Sequence, residues 1–463
     1  MSFRSYRRVF LWCIGTLIIT LAVFNTTSPE SMTRINHSVI ESIAVPRDKG
    51  HSKGDDNGYV PHARGHTLSP ESGHVDLARG LQDETTAASF AETTSAVSTP
   101  PLESVTTHNF RRRYVLPIKT RMGGGSNSQF EKFKKAVVFS LLTNSTLVMP
   151  PFFLHGGHVL GFTSDHIRPF NETFDVDFLA ELLPVATVEH FKDICTKHNT
   201  IVTGWNVTSI NYNHTSRFLY GNIIGIELPS DDALINFDFG CSLDDILLTL
   251  RNKRCVALSM DSVLGINIPN EKREQMLTTV SEHLSRSPKI KHAVDHISGT
   301  ICPEERYLAF HWRNKSTEGP CFFGREHRDD ECATAKKVVR ELADLAADAV
   351  SDLMKREHIK CIYVACPLWS LEIVDVLSER LPRKNIYISE DLYISPNYKP
   401  LLDDYYTLSL VEQEIAYRAA IFVAAGYSNW SDFVSEGRKA IGRTNYNIRE
   451  LAKIPDDVDK MMI

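Results

Sequence analysis

At 463 residues the chain exceeds the roughly 250 to 300 residues at which one hydrophobic core stops growing, so two core units plus accessory sequence are expected. Its formal net charge is -6, and no long Lys/Arg run follows the first residues. Both points argue against a nucleic-acid partner, which needs a basic face.

Arg4, Arg7 and Arg8 precede an uncharged run from Val9 to Phe24. The run is slightly longer than a cleaved signal's apolar stretch and slightly shorter than the ~20 residues of an average spanning helix. No small-x-small cleavage site follows Phe24, which favours a signal anchor over the alternative, a cleaved signal peptide. Positive charge ahead of the segment makes residues 1–8 a cytosolic tail and 9–24 the single transmembrane helix, with the rest of the chain in the lumen. A short span suits the thinner membranes early in the secretory pathway. A single-pass type II protein of the endoplasmic reticulum or Golgi membrane is therefore expected.

Sequons at Asn25, Asn36, Asn144, Asn171, Asn206, Asn213, Asn314 and Asn429 agree with lumenal exposure. Cys13 lies within the apolar run. That leaves Cys195, Cys241, Cys255, Cys302, Cys321, Cys332, Cys361 and Cys366, enough for up to four disulfides whose pairing spacing does not specify. Their spacing matches no zinc module, so no metal site is expected.

Residues 25–108 are rich in Ser, Thr, Pro, Gly and charge and lack a sustained apolar period. They read as a disordered stem, either a tether or a degenerate linker. At Tyr114 the pattern changes: a strand to Ile118, the glycines Gly123, Gly124 and Gly125, helical spacing from Phe130 to Leu142, and a strand from Thr146 to Met149 form the grammar of a βαβ unit. The next hundred residues carry little signal until Cys255–Met260, which reads as a buried strand. From Arg306 onward strand and helix patterns alternate. RYLAFHW is a strand, and Val338, Leu342, Leu345, Ala349 and Leu353 mark one face of a long helix. Strands at Ile362–Ala365, Ile386–Ile388 and Ile421–Ala424 alternate with helices at Ser370–Leu381, Leu408–Ala420 and Trp430–Lys439. This is a doubly wound α/β unit, and the division between the two units is placed near Cys302, giving 109–301 and 302–463.

In parallel α/β units, ligands bind beyond the carboxyl ends of the strands. Three segments fall there. Gly123–Phe130 allows close backbone approach, and Asn127 can donate and accept hydrogen bonds; a plain tight turn is the alternative. His311 and Arg313 end a strand and supply a titratable ring and a fixed fork of donors suited to a diphosphate, against an Arg that merely holds a structural carboxylate. Gly426–Val434 opens the last helix, where free N–H groups and Ser428 and Ser431 suit an anion, or simply cap the helix.

Together these segments resemble the GDP-fucose protein O-fucosyltransferase superfamily. Gly124-Gly125-Ser126-Asn127-Ser128-Gln129 is similar to the family's G-G-x-N-N-Q turn, and Thr143–Phe152 to its L-N-R-T-L-V-L-P-P continuation. Arg168–Phe191 resembles a stretch reading F-x-x-F-F-D-V-x-x-L with a later V-I-x-x-x-x-F. His311-Trp312-Arg313 matches H-L-R, and Glu412–Phe433 resembles D-Q-x-I, then F-I-G, then S-S/T-F-S. The resemblance implies a GT-B fold, with two Rossmann-like domains facing a cleft, the first on the acceptor side and the second binding the nucleotide sugar. It implies inverting transfer of L-fucose from GDP-fucose to Ser or Thr hydroxyls of a lumenal protein, without a cofactor or an essential metal. Arg313 and Asn127 are then the catalytic residues. Gly124, Gly125, Asn127, His311, Arg313, Ser428, Asn429 and Trp430 are then the GDP-fucose contacts.

The chain departs from the family in three ways: no Asp lies a few residues beyond Arg313, Cys366 stands where some members have Thr-Asp, and the glycine turn lacks a Glu. The base is thus unassigned, and a catalytically silent relative that binds a glycoprotein or nucleotide sugar is the alternative. A type II sulfotransferase would need a Lys-Ser/Thr phosphate loop that the glycine segment lacks. Asp175-Val176-Asp177 has the D-x-D form of manganese-dependent transferases, but in a helix-like setting that favours capping. Asp238-Phe239-Gly240 mimics a kinase motif without its companions, and His155, His158 and His166 fit no metal-binding spacing. Glycans at Asn314 or Asn429 would crowd the proposed cleft, so both are expected to be unmodified.

Overall fold

The computed structural model describes residues 112–121, 124–154, 163–230, 233–261, 264–303, 306–314, 321, 329–393 and 398–455. All lie within one compact unit, Leu102–Ile463. The expected anchor at 9–24, the stem at 25–108, and Gly123, His155 and His158 lie outside the described residues. Among the described residues no helix is long and apolar enough to cross a membrane.

The architecture is mixed α/β with two parallel sheets. The first holds β1 (Tyr114–Ile118), β2 (Thr146–Val148), β3 (Val185–Ala186), β4 (Thr200–Gly204), β5 (Leu234–Asn236) and β6 (Cys255–Ser259) in the order β3-β2-β1-β6-β4-β5. Strands β1, β4 and β6 are buried at every residue. Burial on both faces is why β1 and β6 read as mostly apolar runs rather than alternating ones, whereas the two threonines and the glycine of β4 hide it in the sequence. The second sheet holds β7 (Tyr307–His311), β8 (Cys361–Ala365), β9 (Ile386–Tyr387), β10 (Ile421–Ala424) and β11 (Asn445–Asn447) in the order β9-β8-β7-β10-β11, all parallel. Chain order reverses between β7 and β10. A doubly wound sheet opens its ligand crevice at that point, and His311 and Gly426–Trp430 lie there.

Helices α1 (Ser126–Leu142), α2 (Val176–Leu182), α3 (Asn270–His283), α4 (Pro288–Ser298), α5 (Asp329–Arg356), α6 (Tyr405–Arg418) and α7 (Asn429–Ala440) cover the sheets. The face of α5 differs from the sequence expectation. Val339, Leu342, Ala343, Ala346, Ala347, Val350 and Leu353 are buried, while Leu345 is 46% exposed. Ala343, Ala346 and Ala347 share the buried face with the leucines and valines, which turns it by about one residue from the expected one.

One apolar core runs through both sheets, from Val115 and Phe130 to Phe422 and Trp430. At its centre Phe130 meets Phe152, Phe174 and Phe433 edge-on at 4.9, 5.2 and 5.7 Å. Polar ties flank this wall: Lys134–Glu436 at 2.7 Å, Arg168–Asp404 at 3.1 Å, and the Thr173 and Tyr406 hydroxyls at 2.5 Å.

Disulfides join Cys195–Cys255, Cys302–Cys361 and Cys321–Cys332, and Cys241 and Cys366 are free thiols. The D-x-D decoy resolves as capping. Asp175 accepts from the Phe178 amide at 3.2 Å to open α2 and pairs with Lys291 at 3.0 Å, while Asp177 is exposed. His166 closes a short 3-10 turn and bonds the Thr163 hydroxyl at 3.0 Å.

Candidate active site

The glycine turn is built on the carboxyl ends of β1 and β6. Asp261 accepts from the Thr120 and Arg121 amides at 2.6 and 2.8 Å and from Lys132 at 2.6 Å. Burial works to raise the Asp261 carboxyl, but these bonds together hold it below the usual carboxylate range. Lys119, buried at the end of β1, brings its ammonium within 3.5 Å of the Gly124 carbonyl, and burial lowers its pKa. Gly124 has φ +70°, and a side chain there would meet Ser128 Oγ at 3.2 Å, so only glycine fits without strain. Gly125 then precedes α1 in extended geometry, with no side chain capping the helix. The amide of Gln129 clamps Phe153 at both ends, donating to its carbonyl at 2.7 Å and accepting from its N–H at 3.0 Å.

The other lip is formed by β7, β10 and α7. His311 is buried at the end of β7 and stacks on Trp430, ring centres 4.2 Å apart. Its Nδ1 lies 2.7 Å from the Ser431 hydroxyl, whose oxygen accepts from the Ala425 amide at 3.0 Å. The Trp430 indole donates to Ser409 at 3.1 Å. Arg313 lies two residues beyond the end of β7 and is half-buried. Asn314 is buried, its backbone N–H donating to the Ser370 hydroxyl at 2.6 Å. Ser428 precedes α7 without capping it. Its hydroxyl is buried and has no hydrogen-bond partner among the described residues, at a helix start suited to an anion. Asn429 is exposed.

Gln413 of α6 connects the two lips. Its Nε2 donates to Asn127 Oδ1 at 3.0 Å and to the Trp430 carbonyl at 3.4 Å, and its Oε1 accepts from Arg286. Asn127, Trp430 and His311 thus form one continuous cluster. Gln413 stands in the stretch similar to D-Q-x-I; no sequence signal marks Arg286. Beside Asn127 a cavity of about 330 Å³ is lined by Ser126, Phe130, Asp404, Tyr405, Tyr406 and Ser409, among others. Tyr405 stands at its mouth, 80% exposed. The Asp404 carboxylate is occupied by Arg168 at 3.1 Å and the Thr407 hydroxyl at 2.6 Å.

Next to Gln413, Glu412 accepts from the Tyr363 hydroxyl at 2.9 Å, and burial pushes its carboxyl up to about 7. The nearby Cys366 thiol is also pushed up by burial. Behind α6, Arg438 is fully buried. It donates to the carbonyls of Ala416, Tyr417, Ala419, Ala420 and Thr444 and to the Asn445 side chain at 2.7 to 3.3 Å. Among the described residues no three His, Cys, Asp or Glu side chains are grouped to hold a metal ion.

Residues 114–441 match the family model described as GDP-fucose protein O-fucosyltransferase. The chain belongs to the GDP-fucose protein O-fucosyltransferase family. This places it among the fucosyltransferases, a class of glycosyltransferase. Solved structures of POFUT1 share the fold. One, in complex with GDP-fucose, has a TM-score of 0.50 and 18% identity, covering 74% of this chain and 99% of the other. A second crystal form of that complex gives a TM-score of 0.50, 16% identity and coverage of 74% and 98%. No curated protein matches the chain significantly. The match to the family model runs through the glycine turn, His311–Arg313 and the start of α7.

Proposed function

We propose that the chain is an inverting fucosyltransferase that transfers L-fucose from GDP-fucose to a Ser or Thr hydroxyl of a lumenal protein, without a metal. The observation that carries this reading is the pair of bonds from Gln413 to Asn127 and to the Trp430 carbonyl. They join the glycine turn of one sheet to the helix start of the other, where Trp430 stacks on His311.

In this reading the two sheets form a GT-B pair divided near Cys302, with the acceptor on the side of 109–301 and the nucleotide sugar on the side of 302–463. The diphosphate lies between Arg313 and the start of α7. There the buried Ser428 hydroxyl and the first amides of the helix donate to phosphate oxygens beside Asn429 and Trp430. Arg313 neutralises the charge that develops on GDP as the glycosidic bond breaks. Gly124 and Gly125 let the backbone approach the sugar, and Asn127 faces it. With no base assigned, leaving-group departure runs ahead of attack, and little base is needed. The chain is anchored by 9–24 in the endoplasmic reticulum or Golgi membrane, with 25–108 as a stem.

The test uses the purified chain with GDP-fucose, reading thermal stabilisation and slow GDP release for the wild type and Arg313→Ala. Stabilisation and release that disappear in the variant support the reading. Binding without release indicates a catalytically silent relative, and no response to GDP or GDP-fucose overturns the donor assignment.

A further inference from the structure

We infer that Arg286 sets the direction of the Asn127 side-chain amide through Gln413, so that Asn127 presents a hydrogen-bond donor to the cleft. The inference deepens the donor-site reading above and rests on it for its catalytic consequence. Arg286 stands between α3 and α4, far in sequence from either motif. It is buried, and its guanidinium lies 4.3, 4.9 and 5.0 Å from the ring centres of Phe433, Phe174 and Phe130. Its Nε and Nη1 have no hydrogen-bond acceptor among the described residues; the aromatic faces take that place. Nη2 donates to Gln413.

A guanidinium carries donors and no acceptor. Gln413 must therefore turn its oxygen to Arg286, which directs its NH2 the other way. Two acceptors receive that NH2, the Trp430 backbone carbonyl and Asn127 Oδ1. A backbone carbonyl can only accept, so both ends of the Gln413 amide are fixed by partners whose polarity is unambiguous. Asn127 in turn must give its oxygen to Gln413. Nδ2 is then the group left for a ligand in the cavity that Asn127 lines. Facing a bound donor sugar, it can donate to an oxygen on which negative charge grows and cannot accept a proton from the attacking hydroxyl. Arg286 and Gln413 are positioning residues: they act through Asn127.

The test compares Gln413→Glu, Asn127→Asp and their double variant in the full chain. Gln413→Glu keeps the partner of Arg286 but replaces the donor facing Asn127 with a carboxylate oxygen, which turns the Asn127 amide around. Asn127→Asp removes the cleft donor directly. Each is expected to lower the turnover number for GDP-fucose cleavage on the order of 100-fold with GDP affinity within about twofold of wild type. Because both remove the same donor, the double variant, in which the two facing carboxylates share one proton, is expected to be no worse than the more impaired single. Wild-type turnover in Gln413→Glu, or multiplicative losses, would overturn the relay.

A ligand-free readout separates this from the donor assignment. In the wild-type chain with ¹⁵N-labelled side-chain amides, the Gln413 NH2 is expected to exchange slowly and the Asn127 NH2 rapidly. The reverse order overturns the relay even if GDP-fucose is bound. The expected order supports it even if GDP-fucose is not the donor.

Discussion

Replacing Glu412 by Gln is expected to stabilise the protein above neutral pH and to have little effect in acid. The Tyr363 hydroxyl donates to Glu412, and Gln offers it the same oxygen acceptor without a charge. In the wild type the carboxyl titrates near the ordinary value of 4.5 when unfolded and is pushed up to about 7 when folded. The folded state therefore holds the proton more tightly. Its contribution to stability is greatest below 4.5 and is lost as the pH rises toward 7. At roughly 1.4 kcal/mol per pH unit, that window sets a ceiling of about 3 kcal/mol, which local relaxation reduces. For a unit of this size the change is about 5 °C in Tm. Differential scanning fluorimetry of wild type and E412Q at acid, neutral and mildly alkaline pH measures it. A Tm difference that does not change with pH, or a variant less stable than wild type in alkali, would refute the argument that a buried charge is the cost.

Arg438→Met is expected to cost about 3 kcal/mol or more, since it leaves the carbonyls at the end of α6 and before β11 without their buried donor; equilibrium unfolding in urea reads it. Asp175→Ala removes a cap and the Lys291 pair and is expected to lower stability by about 1 kcal/mol while GDP-fucose turnover stays at the wild-type level and insensitive to EDTA. Loss of turnover would restore the D-x-D segment as a metal site. Glycopeptide mass spectrometry is expected to find Asn144 and Asn206, both exposed, open to modification, and Asn314 and Asn429 bare; full occupancy at the latter pair would remove the nucleotide from the proposed crevice.

The second sheet was legible because β7, β8 and β10 are apolar runs of four or five residues, each followed by a helix. Between β2 and β6 the sequence was silent for physical reasons. Its strands are as short as the two residues of Val185–Ala186, and Tyr212–Ile224 winds as a π-helix, whose period matches neither template. In the site, Gly124, Asn127, His311 and Trp430 stood in motifs that could be read one segment at a time. The Arg286–Gln413 contact could not, because 127 residues separate the partners and each alone is an ordinary polar residue near a helix.

The aromatic wall that joins the sheets has a consequence for how the molecule can be divided. Phe130 and Phe174 lie on one side of residue 302 and Phe433 on the other, with Arg286 among them. A fragment cut there would expose those rings to water and leave a buried cation without its surroundings. The halves are therefore not interchangeable modules. They should melt in a single transition, so that a ligand held at either lip protects the whole unit from heat and protease alike.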